Sequence, residues 1–499
     1  MIAERRVKIV ATIGPATSSL EGLEKAIISG MNVARLNFSH GSHELHSQVI
    51  DNLRELSRKW NAPVSILQDL QGPKIRVGKF EGGSVVLKEG EKVIVTTEDV
   101  VGRPGLIPSD FKALATTITT GQKILLDDGL IELKTLAIDP PHIECEVVYG
   151  GILKDRKGMN VPGASLPIEA LTEKDLRDLE FGLSKNVDYV ALSFVRQGSD
   201  ILRLRDLIAA SKPATRIVAK IEMLEALQNL EEIIHLSDAV MVARGDLAIE
   251  VGQSQLPNVQ KRIIRLCNAA NKPVITATQM LDSMVENPRP TRAEITDIAN
   301  AVIDGSDALM LSAETASGRY PFRCIRTMHE IITEVETTSD DLYYDISLED
   351  EFLEIPEAIA ASASLTAMKV RAAALVCVST TGKTAAMIAG FRPKTPIIAI
   401  THSIDPLNRM ELVWGIQTYK IRPYLTSEDA LMQIEELLVK IGIVSRGDKV
   451  VVTMGTPVQQ GAKTNSIRVY TVTLDPIEAP DSELPLRRRK DLNHLLKGF

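Results

Sequence analysis

Residues 216–222, Arg-Ile-Val-Ala-Lys-Ile-Glu, are a short apolar and β-branched run that ends in a lysine and a glutamate. A second run of this kind, residues 238–246, also ends in charged side chains. Glu222 and Asp246 would stand at the ends of neighbouring strands, where two carboxylates provide the oxygen ligands that Mg²⁺ prefers. Lys220 beside them places a fixed positive charge where a phosphoryl group can be stabilised. The pattern predicts a metal site beside a phosphoryl-binding lysine.

The composition is that of an ordinary globular protein. At 499 residues the chain is too long for a single hydrophobic core, and about three domains are expected. A net charge of −8 argues against general nucleic-acid binding, which usually needs a basic surface. The four cysteines lie far apart without metal-type spacing, as expected for reduced thiols. A strand-like run at Val7–Val10 leaves no room for a signal peptide, and no window approaches a membrane span, so the sequence predicts a cytoplasmic protein without membrane partners.

Apolar strand-like runs alternate with helical patterns along most of the chain. The runs before residue 71 are 7–13, 33–38 and 63–67. Residues 74–165 instead show alternating β patterns with glycine-containing turns, which indicates a small all-β domain inserted into the first one. The alternation resumes with further runs at 187–194, 217–221, 239–242, 274–277 and 308–311. Eight β/α units interrupted after the third predict a TIM (β/α)₈ barrel with an inserted small β-barrel domain.

A third region follows an acidic, poorly patterned linker at residues 339–354. Its strand-like runs alternate with helices and predict a smaller, open α/β domain, with strands at 374–378, 396–400, 416–421, 449–454 and 467–472. The predicted domains are the catalytic barrel (1–70 and 166–340), the inserted lid (71–165), the C-terminal α/β domain (341–476) and a polar basic tail (477–499). A solvated or subunit-contacting role explains the tail's basic run at 487–490 more simply than nucleic-acid binding.

Polar side chains stand where the predicted barrel strands end, namely Arg35, Asn37, Asp69, Ser193, Lys220, Glu222, Asp246, Thr278 and Glu314. The active site of a TIM barrel forms at this end of the strands. Glu222 and Asp246 have an alternative as ordinary ion-pair partners of Arg244 or Lys220, but adjacent strand ends favour the metal site. Arg35, Arg76 and Lys220 together could hold a transferring phosphate and spread its developing charge.

Two hydroxyl-bearing motifs have both a structural and a functional interpretation. Thr278, at the end of the seventh strand, is either structural or contacts the substrate or relays a proton. A second motif follows a strand and opens a helix, and consists of Ser379, Thr380, Thr381, Gly382, Lys383 and Thr384. Such a loop can cradle a phosphate, but a simple turn and cap is an equal alternative, and Cys377 stands where a P-loop requires glycine. For His40 and His43, capping or surface roles are favoured over metal ligation.

Several motifs, met in order along the chain, resemble those of the pyruvate kinase family: Ala11-Thr-Ile-Gly-Pro15, Ala34-Arg-Leu-Asn-Phe-Ser-His-Gly41, Ala219-Lys-Ile-Glu222, Met241-Val-Ala-Arg-Gly-Asp-Leu247, Ala277-Thr-Gln-Met-Leu281, Asn287-Pro-Arg-Pro-Thr-Arg-Ala-Glu294 and Met310-Leu-Ser-Ala-Glu-Thr315. The resemblance implies a glycolytic enzyme that moves phosphate from phosphoenolpyruvate to ADP, giving pyruvate and ATP. It also implies Mg²⁺, or Mn²⁺ in its place, as cofactor and a homotetramer. The alternatives are a metal-dependent aldolase or lyase on a similar barrel and a non-catalytic metabolite sensor.

The resemblance also implies roles for individual residues. Lys220 would steady the phosphoryl group, while Glu222 and Asp246 hold the metal. The residues against the substrate would be Arg35, Lys220, Gly245, Asp246 and Thr278. Those that face the nucleotide, beneath the closing lid, would be Asn37, His40, Arg76 and Lys157. Ser379–Thr384 would bind a phosphorylated allosteric effector, either a sugar phosphate or AMP, with Thr456–Asn465 as its partner loop.

One departure from the family concerns potassium. Potassium-dependent members carry Asp-Thr-Lys-Gly-Pro-Glu where this chain has Asp69-Leu-Gln-Gly-Pro-Lys74. Their cation lies near side chains matching Asn37, Ser39 and Asp69. Leu70 removes a hydroxyl from this region, and Lys74 replaces a carboxylate with an ammonium group that is charged at neutral pH. We therefore expect Lys74 to take the place of K⁺, so that activity does not require potassium.

Overall fold

The computed structural model describes residues 5–164, 167, 169–212, 214–339, 342, 353–458, 463–480 and 484–486. Most of the acidic linker predicted at 339–354, the basic run 487–490 and the predicted boundaries at 165/166 and 340/341 lie outside these residues. Across the described ranges, no helix combines the length and apolar character needed to cross a bilayer.

The first barrel strands alternate with helices, and the elements are β1 (Lys8–Ile13), α1 (Leu20–Ser29), β2 (Val33–Asn37), α2 (His43–Lys59) and β3 (Ser65–Asp69). Helix α1 begins where the Ser19 side chain accepts a hydrogen bond from the Gly22 N–H group. It ends at Gly30, whose φ of 117° is the left-handed conformation that glycine adopts at little cost. The predicted helices at the start of the chain are confirmed.

The insertion that follows β3 is almost entirely β structure. Its elements are a 3₁₀ turn (Glu81–Gly83), β4 (Ser84–Leu87), β5 (Lys92–Thr96), β6 (Leu106–Pro108), α3 (Leu114–Thr117), β7 (Lys123–Leu126), β8 (Ile131–Asp139), β9 (His142–Tyr149), β10 (Gly151–Lys154) and β11 (Met159–Asn160). Six strands form a sheet in the order β11-β7-β8-β9-β5-β6, and β4 pairs with β10 beside it. The insertion has its own hydrophobic core, which includes Val95, Leu133 and Ile143.

The barrel resumes with α4 (Glu173–Ser184), β12 (Tyr189–Leu192), α5 (Gly198–Ala209), β13 (Arg216–Ile221), α6 (Leu224–Gln228), α7 (Leu230–Leu236), β14 (Ala239–Ala243), α8 (Arg244–Val251), α9 (Leu256–Ala269), β15 (Val274–Ala277), a 3₁₀ turn (Asp282–Val285), α10 (Arg292–Ile303), β16 (Ala308–Leu311), α11 (Ala313–Ala316) and α12 (Pro321–Thr338). Within the described residues, eight strands close a barrel in the order β1-β2-β3-β12-β13-β14-β15-β16, and each described pair is parallel. The predicted (β/α)₈ barrel is confirmed.

Apolar side chains fill the inside of the barrel. Val10, Leu67, Tyr189, Met241 and Ile275 belong to one buried cluster drawn from different strands. A TIM barrel is packed in this way rather than open as a pore. The polar residues predicted to form the site, such as Asn37, Asp69 and Lys220, stand at or near the carboxyl ends of their strands.

The C-terminal domain comprises α13 (Ile355–Val370), β17 (Ala374–Val378), α14 (Lys383–Gly390), β18 (Ile397–Thr401), α15 (Ile404–Met410), β19 (Ile416–Lys420), α16 (Ser427–Lys440), β20 (Lys449–Met454) and β21 (Ser466–Thr471). Its described strands lie in the order β19-β18-β17-β20-β21, parallel except for β21. This is the open α/β domain expected from the sequence.

One residue in the described part of the tail, Leu486, packs against the barrel. Leu486 is 2% exposed and belongs to the main hydrophobic cluster, which also contains barrel residues such as Leu56. Its N–H group donates to the Trp60 carbonyl at the end of α2, at 3.2 Å. Leu486 therefore contributes to the barrel's packing, whereas Leu484 packs against the core of the C-terminal domain, and the sequence revealed neither contact.

Substituting this leucine is expected to destabilise the protein measurably. Leu486→Ala should lower the free energy of unfolding by about 2 to 3 kcal/mol, because a buried leucine is truncated in a packed site. Denaturant unfolding of the full chain measures the difference. Leu425→Ala is the control, since Leu425 is 74% exposed and its loss is expected to change stability by less than about 0.5 kcal/mol. Equal effects of the two substitutions would show that the tail does not stabilise the barrel.

Candidate active site

A cleft of about 1010 Å³ lies between the barrel and the insertion, at the carboxyl ends of the barrel strands. The barrel lines it with Arg35, Asn37, His40, Gly245 and Asp246, among others. The insertion contributes Lys123, Asp128 and Glu132 from the opposite side, and Lys74 stands where the chain passes between the two. The strand-end residues predicted from sequence thus lie at one face, and part of the insertion covers them.

Lys220 is held by three acceptors at the end of β13. Its Nζ atom lies 2.8 Å from Glu222 Oε1 and 3.3 Å from Asp69 Oδ1, and it donates to Ser193 Oγ at 2.7 Å. Burial alone would lower the pKa of Lys220, but the two carboxylates outweigh burial and raise it above its ordinary value. Lys220 is therefore a permanent positive charge in a fixed position.

Asp69 joins this lysine to the arginine of the second strand. Its Oδ2 atom lies 2.7 Å from both Nε and Nη2 of Arg35, whose Nη1 donates to Thr12 Oγ1 at 2.9 Å. Asp69 is 1% exposed, and although burial favours its neutral form, Lys220 and Arg35 outweigh burial and hold its pKa below the usual value. One buried carboxylate thus orients two cations that belong to different strands.

The two predicted metal ligands lie close enough to influence each other's charge. Glu222 is buried, and its Oε2 accepts the Phe194 N–H group at 2.9 Å. Burial, followed by the charge of Glu222, raises the pKa of Asp246 to about 6. The neighbouring carboxylates therefore repel each other, and their oxygen donor set fits a divalent cation such as Mg²⁺, which would relieve the repulsion.

Arg244 is engaged away from these carboxylates. Its Nη1 atom forms two bonds with Asp297, at 2.9 and 2.8 Å, and its Nε donates to the Ala277 carbonyl at 3.1 Å. The sequence left open an ion pair between Glu222 and either Arg244 or Lys220, and in the structure Glu222 pairs with Lys220. Arg244 instead supports the end of β15, where Thr278 follows.

Thr278 has an unusual backbone conformation. Its φ is +70°, which is rare for a β-branched residue and is typical of strain kept at functional sites. The Arg244 guanidinium donates to the Thr278 carbonyl, and Thr278 Oγ1 accepts the Gly245 N–H group at 2.9 Å. Because Oγ1 accepts from the Gly245 N–H group, the hydroxyl hydrogen points away from that group.

The nucleotide residues suggested by the resemblance divide into two groups. Asn37 and His40 line the cleft. Arg76 and Lys157 contact groups of the insertion instead: Arg76 Nη1 donates to the Arg156 carbonyl at 3.1 Å, and Lys157 Nζ lies 2.7 Å from Asp127 Oδ1. The structure thus brings the first pair to the cleft and holds the second pair on the lid.

Most of the polar groups in the predicted potassium region already have hydrogen-bond or ion-pair partners within the protein. Asn37 Oδ1 accepts the Ser39 N–H group at 3.1 Å, and Asp69 is engaged as described above. Leu70 is buried, and its carbonyl accepts the Ser193 hydroxyl at 2.8 Å. Lys74 lines the cleft with its Nζ atom 4.0 Å from Asp128 Oδ1, and its charge acts to lower the pKa of Asp246.

In the C-terminal domain, Ser379–Thr384 forms the turn that opens α14. Ser379 Oγ accepts the Gly382 N–H group at 2.9 Å, and Gly382 has a φ of 81°, as the cap alternative requires. Thr384 Oγ1 lies 2.6 Å from Thr464 Oγ1, so the expected partner loop does contact this turn. Residues 459–462 of that loop lie outside the described residues.

Sequence comparison identifies the family of this chain. The family sequence model described as pyruvate kinase, barrel domain, matches residues 4–325, and the one described as pyruvate kinase, alpha/beta domain, matches residues 357–470. The chain belongs to the pyruvate kinase family. It is accordingly a phosphotransferase.

Similar proteins cover nearly the whole chain. The pyruvate kinase of Geobacillus stearothermophilus is 44% identical over 476 residues, which span 94% of this chain and 81% of the relative. That of Staphylococcus aureus strain COL is 42% identical over 474 residues, spanning 94% and 80%. The crystal structure of a pyruvate kinase from Cryptosporidium parvum aligns with a TM-score of 0.88 at 35% identity, and covers 94% of this chain and 97% of that one.

Some contacts in this candidate active site were missed from sequence. Thr12 was not among the predicted site residues, although it lies in β1 within a family motif. Ser193 was noted only as a polar residue at a strand end, and Arg244 only as a possible partner of the metal carboxylates. Strand-end position was the usable signal for Ser193, but neither its spacing nor that of Thr12 indicates which cation it contacts.

Proposed function

We propose that this enzyme transfers the phosphoryl group of phosphoenolpyruvate to ADP, giving pyruvate and ATP, with Mg²⁺ and without a need for K⁺. The observation that carries the proposal is the fixed ammonium of Lys220 between Asp69, Glu222 and Ser193, at 3.3, 2.8 and 2.7 Å. We also propose the domain boundaries expected from sequence: a barrel (1–70 and 166–340), a lid (71–165), a C-terminal domain (341–476) and a tail (477–499).

Lys220 and Arg35 act on the phosphoryl group. The transferring group passes through a loose transition state whose charge is spread over its oxygens, so catalysis depends on positioned cations. Both cations are fixed in advance by Asp69, and no reorganisation is needed when the charge develops. Arg35 would bind the phosphate of the substrate and Lys220 would stabilise the group in transfer.

Glu222 and Asp246 would hold the divalent metal, with Mn²⁺ as a possible replacement for Mg²⁺. When bound, such an ion supplies positive charge that polarises phosphoryl oxygens. The protein contributes the carboxylate pair and the Phe194 N–H group that orients Glu222. Gly245, Asp246 and Thr278 would form the surface against which the substrate lies.

Thr278 is proposed to handle the proton. The enolate that remains after phosphoryl transfer must gain a proton at carbon to become pyruvate. Thr278 Oγ1 accepts from Gly245 N–H and thereby has its own hydrogen available for a group in the cleft. We assign to this hydroxyl the delivery of that proton, and water restores the Thr278 hydroxyl once the lid has reopened.

Asn37, His40, Arg76 and Lys157 are the proposed nucleotide residues. The first two line the cleft, and the other two lie on the insertion, which would bring them to ADP as it closes. Closure would also exclude water, which otherwise competes for the phosphoryl group.

The turn Ser379–Thr384 is proposed to bind a phosphorylated effector, either a sugar phosphate or AMP. Its support is the N-terminus of α14 and a contact with the barrel: Arg216 Nη2 lies 3.4 Å from the Thr381 carbonyl. Arg216 begins β13, the strand that carries Lys220 at its other end. A homotetramer is proposed by family resemblance, and a cytoplasmic location agrees with the four buried free thiols.

The test is pyruvate formation from phosphoenolpyruvate and ADP, with Mg²⁺, in K⁺-free buffer. Rapid turnover supports both the phosphotransferase and its potassium independence. Turnover only after addition of K⁺ refutes the potassium argument alone. If no pyruvate forms under either condition, even with sugar phosphates and AMP supplied, the result favours the metabolite sensor or a lyase that acts on pyruvate enolate.

Lys74→Glu is expected to make turnover depend on potassium. In the wild-type enzyme the Lys74 ammonium lines the cleft with Asn37 and Asp246, so addition of K⁺ should change little. The substitution replaces this charge with a carboxylate, and turnover without K⁺ should fall by about tenfold or more. Titration of the variant with KCl should recover much of the loss.

A charge reversal elsewhere on the insertion provides the control for this substitution. Lys79 is exposed and lies outside the cleft lining, so Lys79→Glu should leave the potassium response unchanged. A wild-type enzyme that needs K⁺, or a Lys74→Glu variant that is indifferent to it, would contradict the prediction.

A further inference from the structure

The loop 37–41, which follows β2, carries two of the proposed nucleotide residues, Asn37 and His40. Its turn is formed locally, since Asn37 Oδ1 accepts the Ser39 N–H group at 3.1 Å and the Asn37 carbonyl accepts the His40 N–H group at 3.2 Å. The Phe38 N–H group still bonds to the Asp69 carbonyl at 3.0 Å, as the last rung towards β3. Beyond Phe38 the sheet no longer fixes the loop, so its position depends on other contacts.

Two helices hold this loop through its backbone carbonyls. Lys174, in the first turn of α4, donates from Nζ to the Phe38 carbonyl at 2.7 Å. His46 of α2 donates from Nε2 to the His40 carbonyl at 2.9 Å. Burial lowers the pKa of His46, which favours the neutral ring with its hydrogen on the donating nitrogen. The carbonyls of Phe38 and His40 are thus both held, on either side of Ser39 in the chain.

Asp178 orients the lysine. Its side chain is 6% exposed, and its Oδ2 atom lies 2.5 Å from the Nζ atom of Lys174. Lys174 precedes Asp178 on α4 by one helical turn. The Oδ1 atom of Asp178 lies 2.7 Å from His43 Nε2, and the His43 ring stacks on Phe181 with centroids 4.3 Å apart. A buried carboxylate therefore fixes the ammonium group at the point from which it reaches the loop.

The same helix turn also touches both connections to the lid. Asp175 Oδ1 accepts the Gly72 N–H group at 3.2 Å, where the chain leaves the barrel. Its Oδ2 accepts the Thr172 N–H group at 2.9 Å, where the chain returns from the lid. The first turn of α4 therefore contacts both the loop 37–41 and the two chain segments that connect the barrel to the lid.

We propose that Lys174, oriented by Asp178, is a positioning residue for the nucleotide side of the reaction: it holds the loop 37–41 in the arrangement that binds ADP. This rests on the proposed function, which places ADP against Asn37 and His40. The Lys174 ammonium contacts the Phe38 carbonyl and Asp178, whereas the Lys220 ammonium contacts Asp69 and Glu222, so the two side chains act on different groups. The backbone bond from Phe38 N–H to the Asp69 carbonyl links the two sets and does not involve either ammonium. Loss of Lys174 should therefore impair the use of ADP and spare that of phosphoenolpyruvate.

Steady-state kinetics of Lys174→Met tests the proposal. We expect the KM for ADP to rise by about tenfold, since a charge-assisted hydrogen bond to the loop is lost. The KM for phosphoenolpyruvate and kcat should change by less than about twofold. Lys174→Arg restores a cationic donor and should recover most of the ADP affinity. Asp178→Asn keeps the side-chain size and should raise the KM for ADP in the same direction.

Lys185→Met is the matched control on the same helix. Lys185, at the end of α4, pairs with the exposed Asp51 at 3.1 Å and should leave both KM values unchanged when replaced. Equal changes in both KM values, or a loss confined to kcat, in folded Lys174→Met would overturn the proposal. If that variant does not fold, the same criteria apply to Asp178→Asn. A wild-type enzyme without phosphoryl transfer would instead overturn the proposed function, so the two failures are distinguishable.

Discussion

Lys220→Met is expected to lower pyruvate formation by about a thousandfold or more, because a preorganised charge at a developing phosphoryl transition state is removed. Methionine keeps most of the side-chain length but carries no charge, so the space at the end of β13 remains filled. The carboxylates of Glu222 and Asp69, which lie 2.8 and 3.3 Å from the Lys220 ammonium, would lose their shared cation. Turnover with saturating phosphoenolpyruvate and ADP measures the loss in kcat.

A folded variant is needed for this result to be informative. Circular dichroism and thermal unfolding of Lys220→Met establish this, since an uncompensated buried charge can also destabilise the protein. Lys59→Met serves as the control, because Lys59 is 56% exposed and pairs on the surface with Glu24. A folded Lys220→Met variant with nearly normal turnover would remove Lys220 from the mechanism, and a sensor would show no dependence on it.

The barrel and its site face could be predicted from sequence because both depend on local patterns. The β-branched run ending at Lys220 specifies its strand within a few residues, and that strand, β13, is present in the structure. Eight such units leave few ways to arrange the strands, and closure then brings all strand ends to one face.

The choice of ion-pair partners could not be predicted in the same way. Asp69 was assigned to the potassium region, yet in the structure its carboxylate orients Arg35 and Lys220. Arg244 lies two residues before Asp246 but bonds to Asp297, which is 53 residues away in the chain. Such choices follow from side-chain reach across the closed barrel and from burial, which are tertiary properties that chain spacing does not contain.

The same limit applies to residues that act through the backbone. Lys174 lies in the first turn of α4, between the capping residues Thr172 and Asp175, and nothing in this local sequence indicates a contact with the loop 37–41. Its contact with the Phe38 carbonyl joins segments 136 residues apart. A hydrogen bond to a carbonyl leaves no trace in the identity of the accepting residue, so only the folded chain reveals it.

Asp246→Asn is expected to have opposite effects on turnover and on stability. With one of the two metal carboxylates gone, turnover at a fixed Mg²⁺ concentration should fall by about a hundredfold or more, and a higher concentration should be needed for half-maximal activity. Without metal, the wild-type protein keeps Asp246 beside Glu222, and burial, followed by repulsion from Glu222, raises the pKa of Asp246 to about 6. At neutral pH the variant is free of that repulsion, so in EDTA it should be more stable by roughly 1 to 3 kcal/mol.

Activity against Mg²⁺ concentration and unfolding in EDTA measure the two effects separately. Asp51→Asn is the control for a lost acidic charge, because Asp51 is 64% exposed and its contacts with Lys185 and Ser47 lie on the surface. An unchanged Mg²⁺ requirement in Asp246→Asn would exclude Asp246 as a ligand. Lower stability of this variant in EDTA would instead mean that Lys74 and Lys220, which favour the charged carboxylate, already compensate it without metal. Reduced turnover together with increased metal-free stability is the combination expected of a site whose charge is arranged for a bound cation rather than for the fold.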